Sequence, residues 1–164
     1  MAAKIKLPHQ PCCPVFDPAT LDEQTQAWQD RLFVRDEVRQ LFHIPLNMGK
    51  VVTRMWERVQ ESGAAPKNED FLLLAYDPSP WKSELYMTVT REVEGTDMAR
   101  LSGVFVSKVF DGPYNAVPRY LKEMESYLRT LENKALKYYI YYTYCPKCAK
   151  VYGHNYCVVF AQVS

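Results

Sequence analysis

The run VFDGPYNAVPRYLKEMESYL, residues 109–128, carries a strand end, a tight turn and an amphipathic helix without a break. Val109 and Phe110 close an apolar stretch that begins near Arg100, and Asp111-Gly112-Pro113 supplies turn chemistry. Beyond the turn, Val117, Tyr120, Leu121, Met124, Tyr127, Leu128 and Leu131 recur at helical spacing, which predicts one apolar stripe. Pro118 falls in the first helical turn, where its missing N–H costs little, and Asn115 is a candidate cap. Strands are predicted to follow over Lys137–Tyr144 and Asn155–Val163.

The same order of elements precedes this run. Glu37–Pro45 (EVRQLFHIP) reads as a strand, and Asn47 is placed to cap a helix. In that helix Met48, Val51, Val52, Met55, Trp56 and Val59 form the apolar stripe, with Lys50, Arg54, Glu57 and Arg58 opposite. Gly63 and Pro66 end it, and strands follow at Phe71–Tyr76 and Glu84–Val93. Each half has one helix and too few strands to cover a core alone. The expected fold is therefore α+β: tandem β-α-β-β repeats forming one antiparallel sheet with two helices on one face. A cleft is expected where the halves meet, floored by the sheet. Residues 1–36, with Pro8, Pro11, Pro14 and Pro18, read as an N-terminal arm; within it Leu21–Gln29 is a short helix candidate anchored by Trp28. Residues 37–164 form the ligand-binding domain in this reading.

The segment 109–128 resembles the strand, Gly-Pro-Tyr turn and helix of the gyrase-inhibitor-like (GyrI-like) small-molecule-binding domains, which share a fold with the SOUL haem-binding proteins. MWERVQESGAAP (residues 55–66) and FLLLAYDPSPWKSELYMTVTREV (residues 71–93) resemble the helix and hairpin of that domain's first half. The resemblance implies binding of drug-like or planar hydrophobic compounds, tetrapyrroles among them, or hydrolysis of strained-ring natural products. Many members carry a Glu on the last strand that faces the pocket and meets cationic ligands or acts in catalysis. Here that strand reads NYCVVFAQV, residues 155–163, with no acid. An apolar or neutral ligand is therefore expected. No helix-turn-helix segment precedes the resemblance, which argues against a direct transcription-factor role.

Composition agrees with a ligand cleft. The 164 residues include 12 Tyr, 7 Phe and 3 Trp, a large aromatic mass for one domain. Trp56, Tyr76, Trp81, Tyr86, Tyr114, Tyr139 and Tyr141 are the candidate ligand-binding residues, though aromatic rings also serve as ordinary core. Polar candidates are Glu84, Glu123, Arg54, Glu57 and His43. Glu84, at the head of a strand near Trp81, is the candidate catalytic acid or base.

CPKCAKVYGHNYC, residues 145–157, offers Cys145, Cys148, His154 and Cys157 as a candidate metal set, Zn²⁺ being the cofactor such ligands suit. The alternatives are a reversible Cys145–Cys148 redox pair, or cysteines that serve only as structure, with Cys157 a small buried hydrophobe. A glutaredoxin reading fails because that fold needs most of its chain after the motif. His9 and His43 are in no evident axial-ligand context, so a tetrapyrrole would be packed rather than ligated.

A formal charge of +1 supplies no field to draw nucleic acid or an anionic membrane. No apolar run approaches the roughly 20 residues needed to span a bilayer. MAAKIKLPHQPCC, residues 1–13, lacks the apolar core of a signal peptide, so a cytoplasmic location is expected. The leading expectation is a stand-alone binding protein for a hydrophobic, aromatic or planar ligand. A hydrolase and a metal- or redox-responsive protein are the alternatives.

Overall fold

The structure is a computed structural model and describes residues 13–164; His9 and Cys12 lie outside the described residues. Seven strands and three α-helices run in the order β1 (Gln24–Leu41), β2 (Ile44–Pro45), α1 (Met48–Glu61), β3 (Leu73–Ser79), β4 (Lys82–Thr88), β5 (Asp97–Asp111), α2 (Val117–Thr130), β6 (Lys137–Tyr142), α3 (Pro146–Tyr152) and β7 (Tyr156–Gln162). Every pairing is antiparallel, in the order β2-β1-β4-β3-β6-β7-β5, and β5 pairs back onto β1. The result is an α+β fold: a closed six-stranded barrel with β2 appended to β1.

Closure depends on the length of β1. Its 18 residues pair with β4 over Phe33–Arg39 and with β5 over Gln24–Arg35, so one strand serves both edges. The register shifts between Trp28 and Arg31, where Asp30 adopts a positive φ of 49°. Such a bulge bends a strand and increases its twist, which a closing sheet needs. Opposite Trp28 stands Gly103 at φ 135°, where an added Cβ would run into the Ser164 carbonyl oxygen. This is where the structure departs from the short helix expected over Leu21–Gln29. Burial across Trp28–Phe33 marks a strand with a bulge, and no apolar stripe of helical period is present to be buried. Trp28 is indeed held inside, stacked on Phe105 at 4.1 Å.

The strands divide their side chains between two faces. Outward, Val34, Val38, Leu85 and Met87 pack against Val51, Met55 and Val59 of α1. Likewise Val106, Phe110, Cys157, Val159 and Ala161 pack against Tyr120, Met124 and Leu128 of α2. Inward, Phe33, Leu74, Tyr86, Phe105, Tyr139, Tyr141, Val158 and Phe160 meet with Trp28 to fill the barrel. The inner face is therefore packed with rings and aliphatic side chains, where an open cleft floored by the sheet was expected. The reason is closure, since a sheet joined edge to edge turns its inner face upon itself.

Details at the helix ends also differ from expectation. Asn47 precedes α1 but caps nothing with its side chain; its Oδ1 accepts from the Arg39 N–H at 3.0 Å. Asn115 lies in a 3₁₀ turn, Tyr114–Ala116, ahead of α2. The loop expected between the last two strands contains α3. No helix of the described residues is long and apolar enough to cross a membrane.

Phe160 is fully buried at the middle of the inward cluster. Phe160→Ala should lower the unfolding free energy by about 3–5 kcal/mol, the range for emptying a phenylalanine site in a tight core. Urea unfolding should show a lower midpoint with an unchanged slope.

Candidate functional site

Glu84 and Tyr86 of β4 share the inward parity, and β1 presents Arg35 and Glu37 beside them. The ladder sets Glu37 directly opposite Glu84, and Arg35 opposite Tyr86. Two facing carboxylates would repel. Arg35 resolves this by donating to both, to Glu84 through a short bond and to Glu37 at 3.1 Å. It also reaches Asp97 at 3.1 Å, and Lys82 adds a second cation to Glu37 at 3.1 Å. The second oxygen of Glu84 accepts from the Tyr86 hydroxyl at 2.9 Å.

On its other side Glu84 faces Tyr76 of β3 across the ladder. Tyr76, Tyr86 and Tyr139 form a continuous aromatic floor, with Tyr139 5.8 Å from each of the other two rings. Over this floor lies Lys137, its ammonium 3.9 Å from the Tyr76 ring centre and 5.1 Å from that of Tyr139. One end of the barrel, its mouth, thus carries tyrosine rings and paired charges, with the Lys137 side chain lying over them.

Burial alone would raise the pKa of Glu84. The bonds from Arg35 and Tyr86, with the charges of Arg35 and Lys137, outweigh it and hold the carboxyl below the usual carboxylate range. Burial pushes the Tyr86 phenol up, and the neighbouring Glu84 adds to that. Burial lowers Lys137, opposed by the charge of Glu84. At neutral pH the site therefore holds a carboxylate, a guanidinium and neutral phenols. A group so firmly ionised is suited to hold charge or accept a hydrogen bond, and is a weak base.

The other sequence candidates separate. Tyr141 is buried deeper in the barrel, 6.2 Å from Phe16. Trp56 packs on the outer side of the sheet, edge-on to Phe71 at 5.7 Å. Trp81 is exposed at the β3–β4 turn against Phe42, and Tyr114 donates to the Tyr144 carbonyl at 3.1 Å. Arg54 pairs with Asp36 at 2.7 Å on the outer face, and His43 is exposed beside Asp77. Glu57 and Glu123 lie on exposed helix faces. Of two shallow grooves, one of about 240 Å³ beside α1 is lined in part by Arg35 and Asp97, and one of about 470 Å³ lies beside the end of α2; none of the three floor tyrosines lines either.

The cysteines also regroup. Cys145 and Cys148 come together with Cys13, all three Sγ atoms within 4.8 Å of one another. His154 stands outside this group, its Nδ1 2.8 Å from Asp111 and its ring stacked on Tyr156. Cys157 is buried against α2, which pushes its thiol up to about 12. The residues missed in the sequence are Arg35, Lys137 and Cys13. Lys137 was within reach, since it shares the strand parity of Tyr139 and Tyr141. Arg35 falls in the stretch that reads as an arm, and Cys13 lies 132 positions from Cys145.

A family profile described as bacterial hydrolase matches residues 4–163. The chain belongs to this bacterial hydrolase family. No curated protein matches it. Among solved structures, an uncharacterized conserved protein from Listeria innocua is similar, with a TM-score of 0.64 at 11% identity over 88% of this chain and 94% of that one. The structure of SAV2435 bound to tetraphenylphosphonium is similar at a TM-score of 0.50 and 12% identity, again over 88% of this chain and 94% of that one. At such identities the likeness concerns the fold.

Because its folded pKa is depressed, Glu84 contributes stability that is present above its unfolded pKa of about 4.3 and fades as pH falls through the folded value. Glu84→Gln should therefore flatten part of the acid limb of the stability curve. Urea midpoints taken between about pH 7 and about pH 3 should converge for the two proteins at the acid end. Equal acid slopes would show that the Arg35–Glu84 pair contributes nothing to this limb.

Proposed function

We propose that this chain is a small-molecule-binding protein whose ligand, neutral and aromatic or planar, lies on the tyrosine floor at the barrel mouth. One observation carries this reading: the side chain of Lys137 lies over the rings of Tyr76 and Tyr139, a cationic cover that a flat ligand could take the place of. A flat ligand would replace the lysine over the rings, and the Glu84–Arg35 pair would meet its polar edge. The cations Arg35, Lys82 and Lys137 are balanced by Glu37, Glu84 and Asp97, so the site has no excess of negative charge to draw a cation and suits an uncharged guest. The tetraphenylphosphonium of SAV2435 supports an aromatic ligand on this fold while differing in charge. Apart from the short β2 and α3, the order β1-α1-β3-β4 followed by β5-α2-β6-β7 supports reading the barrel as two β-α-β-β halves of the GyrI-like kind.

Titration with neutral polycyclic aromatics, a free-base porphyrin and tetraphenylphosphonium should quench tryptophan and tyrosine emission saturably for the neutral compounds. Tyr76→Ala should weaken binding by about tenfold, from the loss of one ring face. Lys137→Met, which keeps the aliphatic stem and removes the charge, should strengthen it. Quenching that ignores both substitutions would place the ligand elsewhere, and no saturable response across the panel would end the reading.

Membership of the hydrolase family favours a second reading, hydrolysis of a reactive small molecule at the same mouth. Glu84 would then orient a water or stabilise developing positive charge, its low pKa making it a poor proton acceptor. Turnover of a strained-ring electrophile should fall at least about 100-fold in Glu84→Gln while binding persists. Undiminished turnover would remove Glu84, and a wild-type protein that binds without turnover would remove hydrolysis.

A further inference from the structure

At the end of β6 away from Lys137, the chain leaves the barrel through Tyr144 and enters Cys145-Pro146-Lys147-Cys148 at the start of α3. Cys145 occupies the cap position of that helix, and its Sγ accepts from the Cys148 N–H at 3.5 Å. The Cys145 N–H in turn donates to the Sγ of Cys13 at 3.4 Å. Three sulfurs converge within 4.8 Å from two places in the chain far apart in sequence. A tetrahedral zinc with Zn–S bonds of ~2.3 Å separates its sulfurs by about 3.8 Å, so small side-chain rotations suffice to close the set.

We propose that Cys13, Cys145 and Cys148 bind one Zn²⁺, a structural clip fastening the segment before β1 to the β6–β7 connection. Binding releases the thiol protons to solvent and leaves three thiolates on the metal, with one further donor completing four-coordination. Thiolates select zinc over magnesium, calcium and manganese, which prefer oxygen. The surrounding backbone is already fixed. Tyr152 donates from its hydroxyl to the Cys13 carbonyl at 2.6 Å, and the Phe16 N–H donates to the Tyr144 hydroxyl at 2.8 Å. The Tyr144 and Tyr152 rings pack at 4.7 Å, so both sides of the clip rest on one aromatic support. Cys148 is fully buried, where a metal-bound thiolate has its charge neutralised. His154 and Cys157 take no part in this set.

Full-length protein purified under reducing conditions, with no zinc added, should carry one zinc per chain by native mass spectrometry. Exchange for Co²⁺ should give the intense visible bands of tetrahedral thiolate-bound cobalt. Cys13→Ser, at a partly exposed position that leaves the barrel core intact, should weaken metal binding at least tenfold while far-UV circular dichroism stays unchanged. Cys157→Ala should retain full stoichiometry. Chelation should accelerate proteolysis of the segment before β1 and leave the barrel resistant. The proposal is overturned by trace metal alone with all three thiols alkylated in the native reduced protein, by a disulfide mapped within the trio in place of metal, or by full metal content in Cys13→Ser.

Discussion

Pairing of β1 with β5 is the constraint from which the rest follows. Without it the six long strands would form an open sheet with an exposed apolar face; with it, that face becomes the inside of a barrel. The pairing is distant in sequence, and its entropic cost must be met by what the interior gains. The gain is visible in Trp28, Phe33, Phe105, Tyr139 and Phe160, all withdrawn from water and in ring contact with one another. The bulge at Trp28–Arg31 and the glycine facing it are the local devices that let β1 bend far enough to reach both neighbours.

A closed barrel of this width has room for side chains and little else, so the useful chemistry is displaced to its ends. At the mouth, the inward parity that places apolar rings deep inside places Glu37, Glu84, Arg35 and Lys137 where water can still reach. Their arrangement is ordered by necessity. Two carboxylates forced opposite each other by the register require a cation between them, and the geometry of a guanidinium allows it to serve both. The same argument fixes Lys137: its burial over Tyr76 and Tyr139 is tolerable because ring faces and the nearby Glu84 compensate the desolvated ammonium.

Much of this was legible in the residues. Both long helices follow their apolar stripes, since a stripe of period 3.6 is a local property that needs only a surface to cover. The tyrosines of Lys137–Tyr144 declare a strand, of which Lys137–Tyr142 forms, and Glu84 stands out as an acid at a strand head near Trp81. The unread part is long-range. Nothing near Gln24 signals that it will pair beside Ser107, and the prolines before it make the whole stretch look like an arm. Parity says which strand residues share a face, but only closure decides that the shared face is an interior. The same limit applies to Cys13. Its partners are identified by topology, whereas His154 and Cys157, close to Cys148 in sequence, are drawn away by Asp111 and by the core beneath α2.

The two ends of the barrel differ in a way that separates their chemistry. At the far end, Phe16 packs against Tyr141 at 6.2 Å and Tyr156 at 5.7 Å, so the segment before β1 plugs the interior, and the cysteine trio lies behind that plug. At the mouth the aromatic floor is covered by the Lys137 ammonium. The interior between the two ends is filled by side chains, so each end presents its own surface chemistry. Tightening the sealed end would hold Phe16 against Tyr141, and so keep the deep rings that support Tyr139 in place. β6 runs from Lys137 at the mouth to Tyr142, shortly before the cysteines of the other end. The two sites nevertheless share no side chain. A clip that proved absent would leave the mouth as built, and a mouth that bound nothing would leave the three sulfurs where they are.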